Sequence, residues 1–242
     1  MAQRYKRAIV IGASRGIGAE LAVRLAQSGT QVAILGRSAA HLDSVMAQAP
    51  ENLRAYVHDV TDLTAIPALF QRITADLEGL DLLIYAAGVM PNVGPLEFDP
   101  AISQDILMVN LNGAVAWLDE AAARFAGTGH GTLIGIGSIS GDRGRRLNPA
   151  YHAAKAGLAT YLESLRNRLS VRGVTVTTIK PGPVDTAMTA SYSGKKMPLD
   201  VATAKIFAQL GAGREVYLSP VHRAIFAVIR HLPSGVMRRL SL

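Results

Sequence analysis

Short apolar, β-branched runs alternate along this chain with longer Ala/Leu-rich stretches of helical period, and that alternation leaves few folds open. The runs are RAIVIG (7–12), QVAILG (31–36), LRAYVHDV (53–60), LDLLIYAAG (80–88), GTLIGIGS (131–138), GVTVTTIKPG (173–182) and EVYLSP (215–220). Parallel strands need a crossover between neighbours, normally a helix, so strands separated by helices imply a parallel sheet. Runs such as AIVI and LLIY are apolar without alternation, as expected of strands covered on both faces. The expected architecture is α/β: a seven-stranded, parallel, doubly wound sheet flanked by helices. A length of 242 residues, 49% of them hydrophobic, suits a single domain with a substantial core. One stretch, TAMTASYSGKKMPLD (186–200), is polar, holds Gly194 and Pro198, and reads as a long mobile loop between the sixth strand and the next helix.

Composition narrows the chemistry. With no cysteine, disulfides and thiolate catalysis are excluded, and a reducing, cytoplasmic setting is expected. The six histidines show no metal-ligand spacing, so no metal is expected. The start MAQRYKRAIV passes from basic residues straight into a strand-like run, with no signal region and no apolar run long enough to span a bilayer. A net charge of +7 admits nucleic acid, anionic small ligands or an acidic membrane as partners. Aromatic residues at 5% and dispersed basic residues argue against nucleic acid.

VIGASRGIGAEL follows the first strand and opens the first helix, with glycines at 12, 16 and 18. Gly12 permits a tight turn, Gly16 lets the backbone approach a pyrophosphate, and Gly18 allows close helix-to-strand packing. The helix N-terminus then offers unpaired N–H groups to phosphates. Where the second strand ends, ILGRS presents Arg37 instead of the carboxylate that would bind the ribose hydroxyls of NAD, and Arg15 lies inside the glycine turn. Two guanidinium groups there would embrace a 2′-phosphate, so NADP(H) is expected over NAD(H).

PAYHAAKAGL places Tyr151 and Lys155 four residues apart, on one face of a helix. A cation beside a phenol favours phenolate and brings its ordinary pKa, near 10, toward a useful range. Ser138 closes the fifth strand, at the carboxyl end where such sheets bind ligands, with Ser140 as the competing hydroxyl. Asn110 stands in a helix interior that asparagine does not favour, with Asn112 as the alternative.

In order and spacing, GASRGIG, HDV (58–60), YAAG (85–88), MVNLNG (108–113), GIGSISG (135–141), YHAAK (151–155) and PGPVDT (181–186) resemble the classical short-chain dehydrogenase/reductase superfamily over residues 5 to 218. The resemblance implies a single-domain Rossmann fold, with residues 1–218 as the catalytic body and 219–242 as a helical extension of it. It implies hydride transfer between a nicotinamide and a carbonyl or secondary alcohol, with Asn110, Ser138, Tyr151 and Lys155 as the catalytic set. Ser138 is favoured over Ser140 by its place thirteen residues before the tyrosine. Cofactor contacts implied by the match are Gly12, Ser14, Arg15, Gly16, Ile17, Gly18, Arg37, Asp59, Val60, Ala87, Gly88, Asn110, Tyr151, Lys155, Pro181, Gly182, Val184 and Thr186. A small-molecule carbonyl or alcohol substrate and a homodimer or homotetramer are implied as well. One departure is Tyr85, where many relatives carry asparagine.

Beyond EVYLSP the chain continues as VHRAIFAVIRHLPSGVMRRLSL, a basic amphipathic segment. Val221, Ile225, Val228, Ile229 and Leu232 form an expected apolar stripe with Arg223 and Arg230 opposite. Such a helix can lie on an anionic membrane, on the protein body or on another subunit, and it is faintly similar to tails of lipid-linked keto-sugar reductases. In the loop after Ser138, Arg143, Arg145 and Arg146 read as solvated, with an anionic substrate as the alternative.

Overall fold

The computed structural model describes residues 5–239. All seven expected strands form: β1 (Arg7–Ile11), β2 (Gln31–Gly36), β3 (Leu53–Val57), β4 (Leu82–Tyr85), β5 (Gly131–Ile136), β6 (Val174–Lys180) and β7 (Glu215–Tyr217). They pair in parallel in the order β3-β2-β1-β4-β5-β6-β7. Because strand side chains alternate, Ile9 and Ile11 enter one core layer while Ala8 and Val10 enter the other. The first layer is filled by α3 (Ile66–Asp76), α5 (Gly113–Thr128) and α6 (Pro149–Leu169), through residues such as Phe70, Trp117 and Leu162. The second is filled by α1 (Gly16–Gln27), α2 (Ala39–Met46) and α7 (Leu199–Phe207), through Leu21, Leu42 and Ile206. The central strands are therefore covered on both faces, which explains their unbroken apolar runs, whereas the edge strand β3 leaves Arg54 and Val57 exposed.

Three local expectations change. Asn110 is not in a regular helix: α4 (Pro100–Leu107) and α5 are joined by a π turn, Met108–Asn112. Ser138 lies two residues past the end of β5, where it caps a short 3₁₀ turn, Ile139–Gly141. The 186–200 stretch is not a free loop. A bridge joins Val184 to Met197, a 3₁₀ turn forms at Ala187–Thr189, and the Ser191 hydroxyl donates to Asn92 Oδ1 at 3.0 Å.

The extension forms α8 (Pro220–Ile229) and α9 (Ser234–Met237), but with a different face inward from the one expected. Phe226 and Ile229 are buried against Ile139, with Leu232 and Met237 packed beside them. Val221, Ile225 and Val228 point outward, 64, 45 and 62% exposed. Arg230, expected on the polar side, turns in to Asp142 at 3.0 Å, and Arg143 donates to the carbonyls of Arg230 and Leu232 at the end of α8. Long-range polar anchors, absent from any helical-wheel reading, thus choose the orientation of α8. The outermost residues, 1–4 and 240–242, lie outside the described region, and among the described residues no helix is long and apolar enough to cross a membrane.

Candidate active site

Strand order reverses between β1 and β4, which opens a crevice at their carboxyl ends. The β1–α1 turn forms one wall. Gly12 has φ +83°, and a Cβ there would stand 2.4 Å from the backbone nitrogen of Ala87, so no other residue fits. At Gly16, φ +63°, a Cβ would face the Thr186 methyl at 3.5 Å, which places the loop after β6 as the opposite wall. Gly18 packs against the carbonyl of Gly12, and the Ser14 hydroxyl fills the space beside Gly36. The N-terminus of α1 has no side-chain cap and no acid in its first turn, so its N–H groups remain for an anion. These features suit a dinucleotide pyrophosphate: a backbone cradle that any Cβ would fill, ending on free donors.

Arg15 and Arg37 are exposed at the ends of β1 and β2. Arg37 reaches Asp59 only loosely, at 3.9 Å. For Asp59, partial burial opposes ionisation, but bonds from the Thr61 backbone and hydroxyl and the Arg37 charge prevail and hold its carboxyl below the ordinary range. Val60 is buried, and its carbonyl abuts Gly113 just after the π turn.

Deeper in the crevice, the expected residues converge on Gly88. A Cβ there would stand 2.6 Å from Asn110 Oδ1, 3.7 Å from Lys155 Nζ and 3.7 Å from the Met188 methyl. The Asn110 amide accepts from Val89 N at 3.1 Å and donates to Val89 O at 2.8 Å, clamping the segment after β4. The departure at Tyr85 serves the same turn: its buried hydroxyl donates to the carbonyl of Val109 at 2.6 Å. A π turn leaves carbonyls short of helical partners, and the phenol supplies one.

Tyr151 and Lys155 stand on the first turns of α6, both buried, with Lys155 Nζ 5.8 Å from the Tyr151 ring centre. Lys155 donates to the Ile136 carbonyl at 2.9 Å, and burial pulls its pKa down to about 8. Burial also pushes the Tyr151 phenol up, opposed by a hydrogen bond with the Ser138 hydroxyl and by the charge of Arg145. Two cations thus stand near the phenol: Arg145, whose charge favours the phenolate, and Lys155, whose Nζ lies over the same ring.

Ser138 Oγ also accepts from Ser140 N at 3.0 Å. The hydroxyl of Ser140, the competing serine, accepts from Arg145 Nη2 at 2.7 Å. Arg145 Nε donates to His152 Nε2 at 3.1 Å. The sequence reading missed His152 and kept Arg145 near the site only as an alternative shared with its two neighbours. The one signal was the cluster of three arginines after Ser138, which divides in the fold: Arg143 holds the extension, Arg145 enters the site, and Arg146 is exposed.

A family model described as short chain dehydrogenase matches residues 6–196. An uncharacterized oxidoreductase of Staphylococcus aureus (strain N315) is 33% identical over 208 residues, 84% of this chain and 90% of that one. A candidate short-chain alcohol dehydrogenase from Sinorhizobium meliloti 1021 superposes with a TM-score of 0.82 at 26% identity, covering 90% of this chain and 96% of the other. A candidate NAD(P)-dependent gluconate 5-dehydrogenase from Beutenbergia cavernae, crystallised with NADP at low occupancy, shares the fold with a TM-score of 0.82 at 22% identity, covering 90% and 97%. The cradle built from the glycine turn and the matches to these relatives converge: the chain belongs to the short-chain dehydrogenase family of NAD(P)-dependent oxidoreductases.

Proposed function

We propose that the protein is an NADPH-dependent carbonyl reductase, able to run in reverse as a secondary-alcohol dehydrogenase. The observation that carries this reading is the convergence of Asn110 and Lys155 on Gly88, beside a phenol hydrogen-bonded to Ser138. The nicotinamide, when bound, supplies the hydride. Ser138 and Tyr151 hold the substrate oxygen, and the phenol delivers its proton there as negative charge develops. Burial that pushes the Tyr151 pKa up keeps the phenol protonated near neutral pH, the state needed for reduction, and the oxidative direction gains as pH rises toward that pKa. Once the proton has left, the Arg145 and Lys155 cations stabilise the phenolate; each pKa unit corresponds to about 1.4 kcal/mol. Lys155 would also hold the ribose hydroxyls of the bound nucleotide. Asn110, its side-chain amide committed to Val89, holds the segment after β4 beside Lys155, where a water would return protons to the lysine.

Gly12, Ser14, Gly16, Ile17 and Gly18 would hold the pyrophosphate, Asp59 and Val60 would flank the adenine, and Pro181, Gly182, Val184 and Thr186 would line the nicotinamide end. Preference for NADPH is supported by Arg15 and Arg37. The exposed Arg37–Asp59 pair at 3.9 Å contributes about 0–1 kcal/mol, so a 2′-phosphate can displace it. Arg15→Ala and Arg37→Ala should each raise the KM for NADPH about 10- to 100-fold and leave that for NADH within a few-fold. Wild-type preference for NADH, unchanged by either replacement, would remove the claim.

Substrate room is supported by a depression of about 180 Å³ lined by Val93, Phe98, Ile106, Pro149 and Ala150. Ile106 and Ala150 also pack with Tyr151, so the depression adjoins the phenol. Reaction confined to a membrane surface draws on the exposed row of Val221, Ile225 and Val228, but Phe226 and Ile229 are already spent on the body. A purely nucleotide-holding role leaves Ser138, Tyr151 and Lys155 without purpose.

A further inference from the structure

Arg145 is held by neutral partners only. Its Nε donates to His152 Nε2 at 3.1 Å, its Nη2 donates to the Ser140 hydroxyl at 2.7 Å, and its guanidinium lies 5.9 Å from the centre of the Phe226 ring on α8. The histidine is fixed as an acceptor. Its Nδ1–H donates to the Asn148 carbonyl at 2.9 Å, leaving Nε2 unprotonated, and burial and the Arg145 charge both keep the ring neutral. Among the described residues no carboxylate pairs with Arg145, and its Nη1 edge has no partner.

A half-buried cation without a counter-charge is costly, and such groups persist where a ligand completes them. The other two arginines of the loop do not share this state: Arg143 is spent on the end of α8, and Arg146 faces solvent. Two carboxylates line the adjoining depression, but both are spent on backbone, Glu97 on Gly94 N and Asp99 on the start of α4. Arg145 is also bonded to Ser140, whose N–H bonds the Ser138 hydroxyl, so it stands one residue away from the group that holds the substrate oxygen. The Arg145 charge already acts on the Tyr151 phenol, so a carbonyl bound at Ser138 and Tyr151 would lie within the field of that guanidinium. The guanidinium fork matches a planar carboxylate with two parallel hydrogen bonds.

We infer that Arg145 is a built anion receptor, and that the carbonyl substrate carries a carboxylate close to the reacting carbon. This rests on the reductase reading above, and the test separates the two. Short oxo acids and their methyl esters would be compared as substrates with NADPH, for the wild type and for Arg145→Gln and Arg145→Lys. The wild type should favour acid over ester in kcat/KM by about 10- to 100-fold. Arg145→Gln should bring that ratio near one, and Arg145→Lys should restore part of it. A wild type that reduces esters as well as acids, or better, would overturn the receptor while leaving the reductase intact. Equal loss on both substrates in Arg145→Gln, with an altered pH profile and an unchanged ratio, would likewise overturn it and make Arg145 a positioning residue for the phenol. Should the glutamine variant not fold, the wild-type ratio alone decides. Failure to reduce any carbonyl in the series, with cofactor bound, would count against the underlying reading as well as the receptor.

Discussion

Replacing Tyr151 with phenylalanine should lower turnover about 10²- to 10⁴-fold, the range for loss of a positioned proton donor. Cofactor affinity should stay within a few-fold, because the glycine turn, the α1 N-terminus and Lys155 are untouched. The fold should tolerate the change: phenylalanine fills the same volume, and Ser138 Oγ retains its bond from Ser140 N. NADPH absorbance with a responsive ketone, paired with cofactor fluorescence titration, separates chemistry from binding. Near-normal turnover would remove Tyr151 from the chemistry.

Asp142→Ala should destabilise the fold and loosen α8. Its carboxylate, 2% exposed, takes hydrogen bonds from Lys180 Nζ at 2.8 Å, Arg230 Nη2 at 3.0 Å and the Tyr217 hydroxyl at 2.8 Å. Lys180 is itself only 4% exposed and would keep Glu215 at 2.6 Å, but the other donors would lose their shared anion. Because Lys180 keeps Glu215 and Arg230 is partly solvated, the loss should be about 1–3 kcal/mol, the range for hydrogen bonds to a charged group. Two readouts apply, urea unfolding and limited proteolysis within α8, which should become the first site of cleavage. Stability within about 0.5 kcal/mol of wild type, with α8 still protected, would show that the apolar contacts of Phe226 and Ile229 suffice. Asp142 directly precedes the loop of Arg143 and Arg145, so activity should fall together with stability.

What the sequence disclosed divides along a physical line. Strands, helices and the glycine turn are governed by local period and backbone geometry, and each was legible. Tyr151 and Lys155 were legible because a four-residue spacing fixes a shared helical face. The inward face of α8 was not, because the Arg230–Asp142 contact spans 88 residues and outranks the choice among apolar residues around one helix. The 186–200 stretch read as loose because its polarity hides the pairing of Val184 with Met197. Arg145 could not be told from its two neighbours, since its role depends on a histidine seven residues away turning one ring nitrogen toward it. Tyr85 was legible only as a departure from the asparagine of many relatives; its hydroxyl bonds the carbonyl of Val109 in the π turn that presents Asn110.

The most direct test of the whole account follows a deuterium. NADPH labelled at the transferable position of its nicotinamide ring, one sample for each face, would be incubated with the protein and a series of ketones and oxo acids. Mass spectrometry of the alcohols should find label on the carbinol carbon from one face only, in step with NADPH consumed. Cofactor that binds yet never passes its label to any carbonyl would contradict the account.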